Sequence, residues 1–246
     1  MGAGLRGLWA GVLAAGLGLA SLAEAGCRQA LALGLDVSAS VDAREDALQR
    51  QGLAKALLSP QVVDAFETMP DIPVALMIYE WSGYRTQSVL QPWITVRSRA
   101  DLVAVATRLR AAPVGRSGNS TALGGAALFA ARAFERGPDC WRRTLDLSGD
   151  GKNNDGPTPQ MLADDPRLDG ITINGLVIGA DPGARGAQKN AHIGELVAYF
   201  QQNVIRGAGA FTEVALGFEG FEESMRRKLL REIRVPMFSA LYHGAR

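Results

Sequence analysis

Apolar runs of strand length alternate with helix-period segments along most of this chain. That alternation constrains the fold more than any single motif. The runs cover residues 30–35, 73–80, 143–148, 171–178 and 210–216. They are apolar almost throughout, the pattern of strands buried on both faces. Between them lie helical segments. Residues 42–58 carry acids early and Lys55 late, and a shorter piece, 61–68, follows Pro60. Leu102, Val105, Ala106 and Leu109 recur at i, i+3, i+4 and i+7. Residues 121–135 are Ala-rich and helical. Ile193, Leu196, Val197, Phe200 and Val204 make one further face, and Phe218, Phe221, Met225, Leu229 and Ile233 make a closing one. A turn at 82–85 and a returning strand at 87–96 form the single expected hairpin. The whole predicts an α/β fold, with a mostly parallel sheet and helices on both faces. In such sheets ligands bind beyond the carboxyl ends of the strands.

Length and charge narrow the class. The chain has 246 residues, 47 % of them apolar, which fits one α/β domain. Lys and Arg number 26 against 25 Asp and Glu, and no basic stripe points to nucleic acid. Residues 1–25 read as a signal peptide. Arg6 precedes an apolar stretch from about Leu8 to Leu22, and Ala23-Glu24-Ala25 fits a small-x-small cleavage site. Glu24, three positions before Cys27, argues against lipidation of that cysteine. The expected product is a single domain over residues 26–246, periplasmic or secreted, with no stable membrane insertion after cleavage because no later segment is long enough to span.

Export permits a disulfide between the two cysteines, Cys27 and Cys140. Cys27 lies nine residues before Asp36, and Cys140 lies ten before Asp150. If their strands are parallel neighbours, both thiols reach one edge of the sheet at similar height. The alternative is two buried thiols.

Three loops carry the chemistry. Asp36-Val37-Ser38-Ala39-Ser40 follows the first apolar run. Extended backbone turns i, i+2 and i+4 to one side, so a carboxylate and two hydroxyls can face one point. Hard cations such as Mg2+ take oxygen ligands of this kind. Alone the motif reads equally as a turn. Gly118-Asn119-Ser120-Thr121-Ala122-Leu123-Gly124 places hydroxyls just before a helix, where Ser120 or Thr121 would also serve as an N-cap. Leu147-Ser148-Gly149-Asp150-Gly151 places a carboxylate at a strand end.

Together, in this order, the three loops resemble the von Willebrand factor A domain with its metal-ion-dependent adhesion site. Further segments resemble a narrower group, secreted bacterial proteins of this fold with no known function: Glu80-Trp81-Ser82-Gly83, Asn153-Asn154, residues 170–176 and residues 228–233. The resemblance implies a doubly wound six-stranded sheet of order 3-2-1-4-5-6 with one antiparallel edge strand. It implies metal ligation by Asp36, Ser38, Ser40, Thr121 and Asp150, the two carboxylates acting partly through water. Mg2+ is the expected ion, with Mn2+ or Ca2+ possible. Neutral hydroxyl ligands leave the ion electrophilic, so the implied partner is a protein presenting Asp or Glu. The third loop departs from the wider fold's Thr-Asp-Gly by reading Ser148-Gly149-Asp150-Gly151.

Other residues are weighed beside these. Trp81, Tyr84 and Arg85 are candidates for a partner-binding rim. Asp42 and Asp155 lie near the loops and read either as tuning groups or as solvated turn acids. Asp146 sits inside a strand without an evident role. His192 and His243 lack ligand spacing, and no Ser-His-Asp set, phosphate loop or zinc pattern occurs. The expected function is adhesion-type binding rather than catalysis. A Mg2+-dependent hydrolase and a domain merely stiffened by metal are the alternatives.

Overall fold

The computed structural model describes residues 26–113, 118–179 and 187–233. The candidate leader and His243 lie outside them. Six strands form one sheet: β1 (Gln29–Asp36), β2 (Val74–Trp81), β3 (Gln87–Val96), β4 (Arg143–Gly149), β5 (Ile171–Ile178) and β6 (Thr212–Ala215). Their order is β3-β2-β1-β4-β5-β6, and only the β2–β3 pair is antiparallel. This is the order that the resemblance implied.

Period-two alternation divides each central strand between two cores. Leu31, Leu33 and Leu35 face one side, with Leu76, Ile78 and Leu176. Helices α1 (Ala43–Leu58), α2 (Pro60–Glu67), α3 (Arg99–Ala111) and α6 (Phe221–Ile233) cover that side with Leu53, Val62, Leu109 and Leu229. Ala30, Ala32, Met77, Tyr79 and Trp81 face the other side, under α4 (Leu123–Glu135) and α5 (Ala187–Tyr199). Small residues meet small residues here: Ala126, Ala127 and Ala130 of α4 join the same cluster as Ala30 and Ala32. Gly34 interrupts β1 for a reason of space. A Cβ there would lie 2.8 Å from the Tyr79 ring, whose hydroxyl donates to the Ala126 carbonyl at 3.0 Å.

Local chemistry sets the helix ends. Asp42 caps α1 by accepting the Arg44 and Glu45 N–H groups at 2.8 Å, and Glu45 accepts the Asp42 N–H in return. Pro60 opens α2, where its missing N–H is not needed. Three expectations shift. The last strand contracts to Thr212–Ala215. The helix expected to run through Val204 stops at Tyr199 and continues as a π turn, Phe200–Val204. The helix expected from Thr121 begins at Leu123, and Ala122, at its cap position, makes no side-chain cap.

At the amino-terminal edge Cys27 and Cys140 form a parallel bridge and a disulfide, with Cα atoms 4.6 Å apart. No helix among the described residues is long and apolar enough to cross a membrane.

Candidate metal centre

The opposite, carboxyl edge gathers the three loops. Strand register sets the heights: Asp36 stands beside Trp81 of β2, and Gly34 beside Leu147 of β4. Backbone bonds then tie the loops together. The Val37 N–H donates to the Trp81 carbonyl at 2.9 Å, the Ala122 N–H donates to the Ser82 carbonyl at 2.8 Å, and Ser38 pairs with Gly118. The Gly118 N–H also donates to Ser82 Oγ at 3.1 Å.

Asp36, Ser38, Ser40 and Asp150 come together on this frame, and Thr121 lies beside Gly151, next to Asp150 in the chain. Ser38 and Ser40 hydroxyls lie 3.1 Å apart, and Ser40 Oγ donates to Asp150 Oδ1 at 2.7 Å. Asp36 is fully buried, and its Oδ1 accepts the Ser38 N–H at 2.8 Å. Two glycines leave room between the loops. A Cβ on Gly149 would sit 3.2 Å from Asp36 Oδ2, and one on Gly151 would sit 3.4 Å from Thr121 Oγ1. Asp36 Oδ2 and Asp150 Oδ2 are both sealed from solvent and meet no hydrogen-bond partner.

Electrostatics follow from that burial. The Asp36 carboxyl is pushed up to about 7, first by desolvation and then by the charge of Asp150. Desolvation also raises Asp150, against the hydrogen bond from Ser40 and the weak field of His192. Two buried carboxylates with orphaned oxygens and the Ser38 and Ser40 hydroxyls, with Thr121 one loop away beside Gly151, form a donor set suited to a hard cation. Among the described residues no three of His, Cys, Asp and Glu gather closely enough to hold a metal by themselves, so an ion here would need the hydroxyls as ligands.

The residues after Asp150 have a role that their sequence did not disclose. Asn154 Oδ1 accepts the Thr121 N–H at 2.7 Å, and the Asn154 N–H donates back to the Thr121 carbonyl at 2.8 Å. Asn153 Oδ1 accepts the Gly124 N–H at 3.1 Å. Asp155 Oδ2 accepts the Tyr84 N–H at 2.8 Å and the Ser120 hydroxyl at 3.0 Å. The triplet therefore clips the Thr121 loop and the β2–β3 turn to the third loop. This corrects the N-cap reading of Ser120 and Thr121. Of the two nearby acids, Asp42 is a solvated residue that caps α1, and Asp155 holds the clip.

The rim needs a correction too. Trp81 is fully buried and packs under α4, so it presents nothing to a partner. Its parity with Met77 and Tyr79 places it on that inner face. Tyr84, 39 % exposed, and the exposed Arg85 remain on the surface.

A family profile, Protein of unknown function (DUF1194), matches residues 26–237. The chain belongs to this family. No curated protein matches the chain. Among solved structures it is similar to proximal thread matrix protein 1 of the mussel byssus, in a form with a zinc-occupied MIDAS motif: 17 % identity over 85 % of this chain and 48 % of that one, TM-score 0.54. It is similar to a von Willebrand factor type A protein of Catenulispora acidiphila, with 14 % identity, 84 % and 43 % coverage and a TM-score of 0.52. It is also similar to the pilus adhesin SpaC of Lactobacillus rhamnosus GG, with 11 % identity, 84 % and 30 % coverage and a TM-score of 0.57. This chain spans about half the length of the mussel protein and less of the other two. At these identities the likeness establishes the von Willebrand factor A fold.

Proposed function

We propose that this chain is an exported binding module that holds a divalent cation at Asp36, Ser38, Ser40, Thr121 and Asp150 and captures an acidic side chain of a protein partner there. The observation that carries the reading is the pair of sealed, partnerless oxygens, Asp36 Oδ2 and Asp150 Oδ2, beside the Ser38 and Ser40 hydroxyls. Buried polar atoms are normally satisfied, so two orphans at one point call for an ion. When bound, Mg2+, Mn2+ or Ca2+ would supply a positive charge that hydroxyl ligands leave largely uncompensated, which favours a carboxylate. Asp36 and Asp150 orient the hydroxyls, and the Asn153–Asp155 clip holds Thr121 in place. The zinc-occupied MIDAS of the mussel protein and the adhesin relative support an adhesion role over a catalytic one. The leader segment and the disulfide support a periplasmic or secreted location.

The test is binding of a Glu-containing peptide library to the full chain with Mg2+. Captured peptides should be lost with EDTA and with Asp36→Ala. Capture indifferent to both would overturn the reading. A rise in melting temperature with Mg2+ but no peptide capture would favour a purely stabilising metal, and substrate turnover abolished by Asp150→Ala would favour a hydrolase.

A further inference from the structure

A second carboxylate at the same edge lacks a partner. Glu80 stands one residue before the end of β2, between Leu35 of β1 and Ser88 of β3. It is 4 % exposed, and its Oε1 is sealed and meets no hydrogen-bond partner. It lines a cleft of ≈ 540 Å³ together with Val37, Arg85, Thr86, Gln87 and Ser88. That size falls within the range of small-ligand sites. The buried cation whose field reaches Glu80, Arg50, makes its own contacts elsewhere. It pairs with Asp46 at 2.8 Å and donates to the carbonyls of Ala112 and Pro113 at 2.6 Å. Among the described residues neither Arg50 nor Arg85 forms an ion pair with Glu80.

We propose that this cleft receives one cationic side chain, a guanidinium or alkylammonium, seated on Glu80. A buried carboxylate without donors carries a desolvation penalty that an entering N–H-bearing cation removes. A guanidinium suits the site better than an ammonium because its planar fork donates two bonds at once. Val37, which lines the cleft, directly follows Asp36. Resting on the metal reading, this adjacency specifies the partner further: an acidic residue for the ion with a basic residue close by in the same segment.

The cleft can be tested apart from the metal. N-acetyl-arginine amide is titrated into the full chain in EDTA and followed by NMR, with N-acetyl-citrulline amide as the neutral isostere. Saturable binding is expected for arginine amide. It should weaken at least tenfold for citrulline amide and for Glu80→Gln. A second variant, Ser88→Lys, sets an ammonium opposite Glu80 and should block the probe while raising the melting temperature. No saturable binding, equal binding by Glu80→Gln, or unchanged affinity in Ser88→Lys would overturn the proposal. So would binding that emerges only in Arg85→Ala, because Arg85 would then be the cleft's own occupant. Loss of acidic-peptide capture with arginine binding intact would remove the metal reading alone.

Discussion

Ser40, Ser120 and Thr121 stand in the loops of the metal centre, and their environments separate their roles. Ser120 Oγ is engaged, donating to Asp155 at 3.0 Å. Ser40 Oγ donates to Asp150, and Thr121 Oγ1 faces the gap beside Gly151. Thr121→Val preserves shape and removes one oxygen. It should weaken Mg2+ binding by about tenfold or more in calorimetry while the metal-free melting temperature holds. Ser120→Ala should leave Mg2+ affinity within about threefold, because it touches only the clip. The reverse ranking would transfer the ligand role to Ser120. At this scale the position of the five candidate residues at one edge of the sheet was legible, since each stands at a strand or helix end in a recognisable order. Asn153, Asn154 and Asp155 were not, because polar residues after a strand look like any turn until their distant partners are known. The inward place of Trp81 follows from parity, since counting by twos from Tyr79 puts it inside.

One element, α6, is fastened to the sheet by charge rather than by apolar contact alone. Lys228, fully buried, lies 2.9 Å from Asp146 of β4 and 2.6 Å from Glu232, whose other contact is the Asn174 amide of β5 at 2.7 Å. The Lys228 ammonium also sits 5.0 Å from the Phe211 ring centroid. This supplies the role of Asp146 that the sequence left open, since neither Lys228 nor Glu232 breaks the helical pattern and the link is visible only across 58 residues or more. One cation faces two carboxylates, with Tyr79 also feeling the field of Asp146. Burial first, and Glu232 after it, push the Asp146 carboxyl up from 3.8 to about 7, against the pull of Lys228. A raised folded value means that the native state holds a proton that the unfolded chain has released. Stability from this group is therefore full below about pH 4 and declines as pH rises toward 7. Asp36 and Glu80 shift the same way, so the difference between wild type and variant isolates Asp146. Asp146→Asn should flatten the fall in melting temperature between pH 4 and 7, with Lys228 still paired to Glu232. An undiminished slope would assign the proton elsewhere. Lys228→Met leaves both carboxylates unpaired and should cost about 3 to 5 kcal/mol at pH 8 in urea unfolding.

Across the whole molecule the sheet separates covalent closure from binding. The disulfide lies at the amino-terminal edge and the metal centre at the carboxyl edge, with the eight residues of β1 between them. Those residues span roughly 25 Å at strand rise. Apolar strands alternating with helices made the parallel sheet legible, and the similar offsets of Cys27 and Cys140 from Asp36 and Asp150, nine and ten residues, made their pairing legible. The 3₁₀ turns Pro159–Leu162 and Pro166–Leu168 and the π turn were not, since segments so short carry no period to read. The two edges should respond independently. The bridge joins cysteines 113 positions apart, and closing so long a loop restricts the unfolded chain by about 4 to 5 kcal/mol at most. Reduction should therefore lower the melting temperature by roughly 10 °C, as expected for a domain of this size. Below that temperature β1 stays paired on both sides, with β2 and β4, so the loops at its far end keep their positions. The Mg2+-induced rise in melting temperature should then be the same in reduced and oxidised protein. A response that vanishes on reduction would show that the sheet transmits strain from one edge to the other and that the disulfide helps set the geometry of the metal centre.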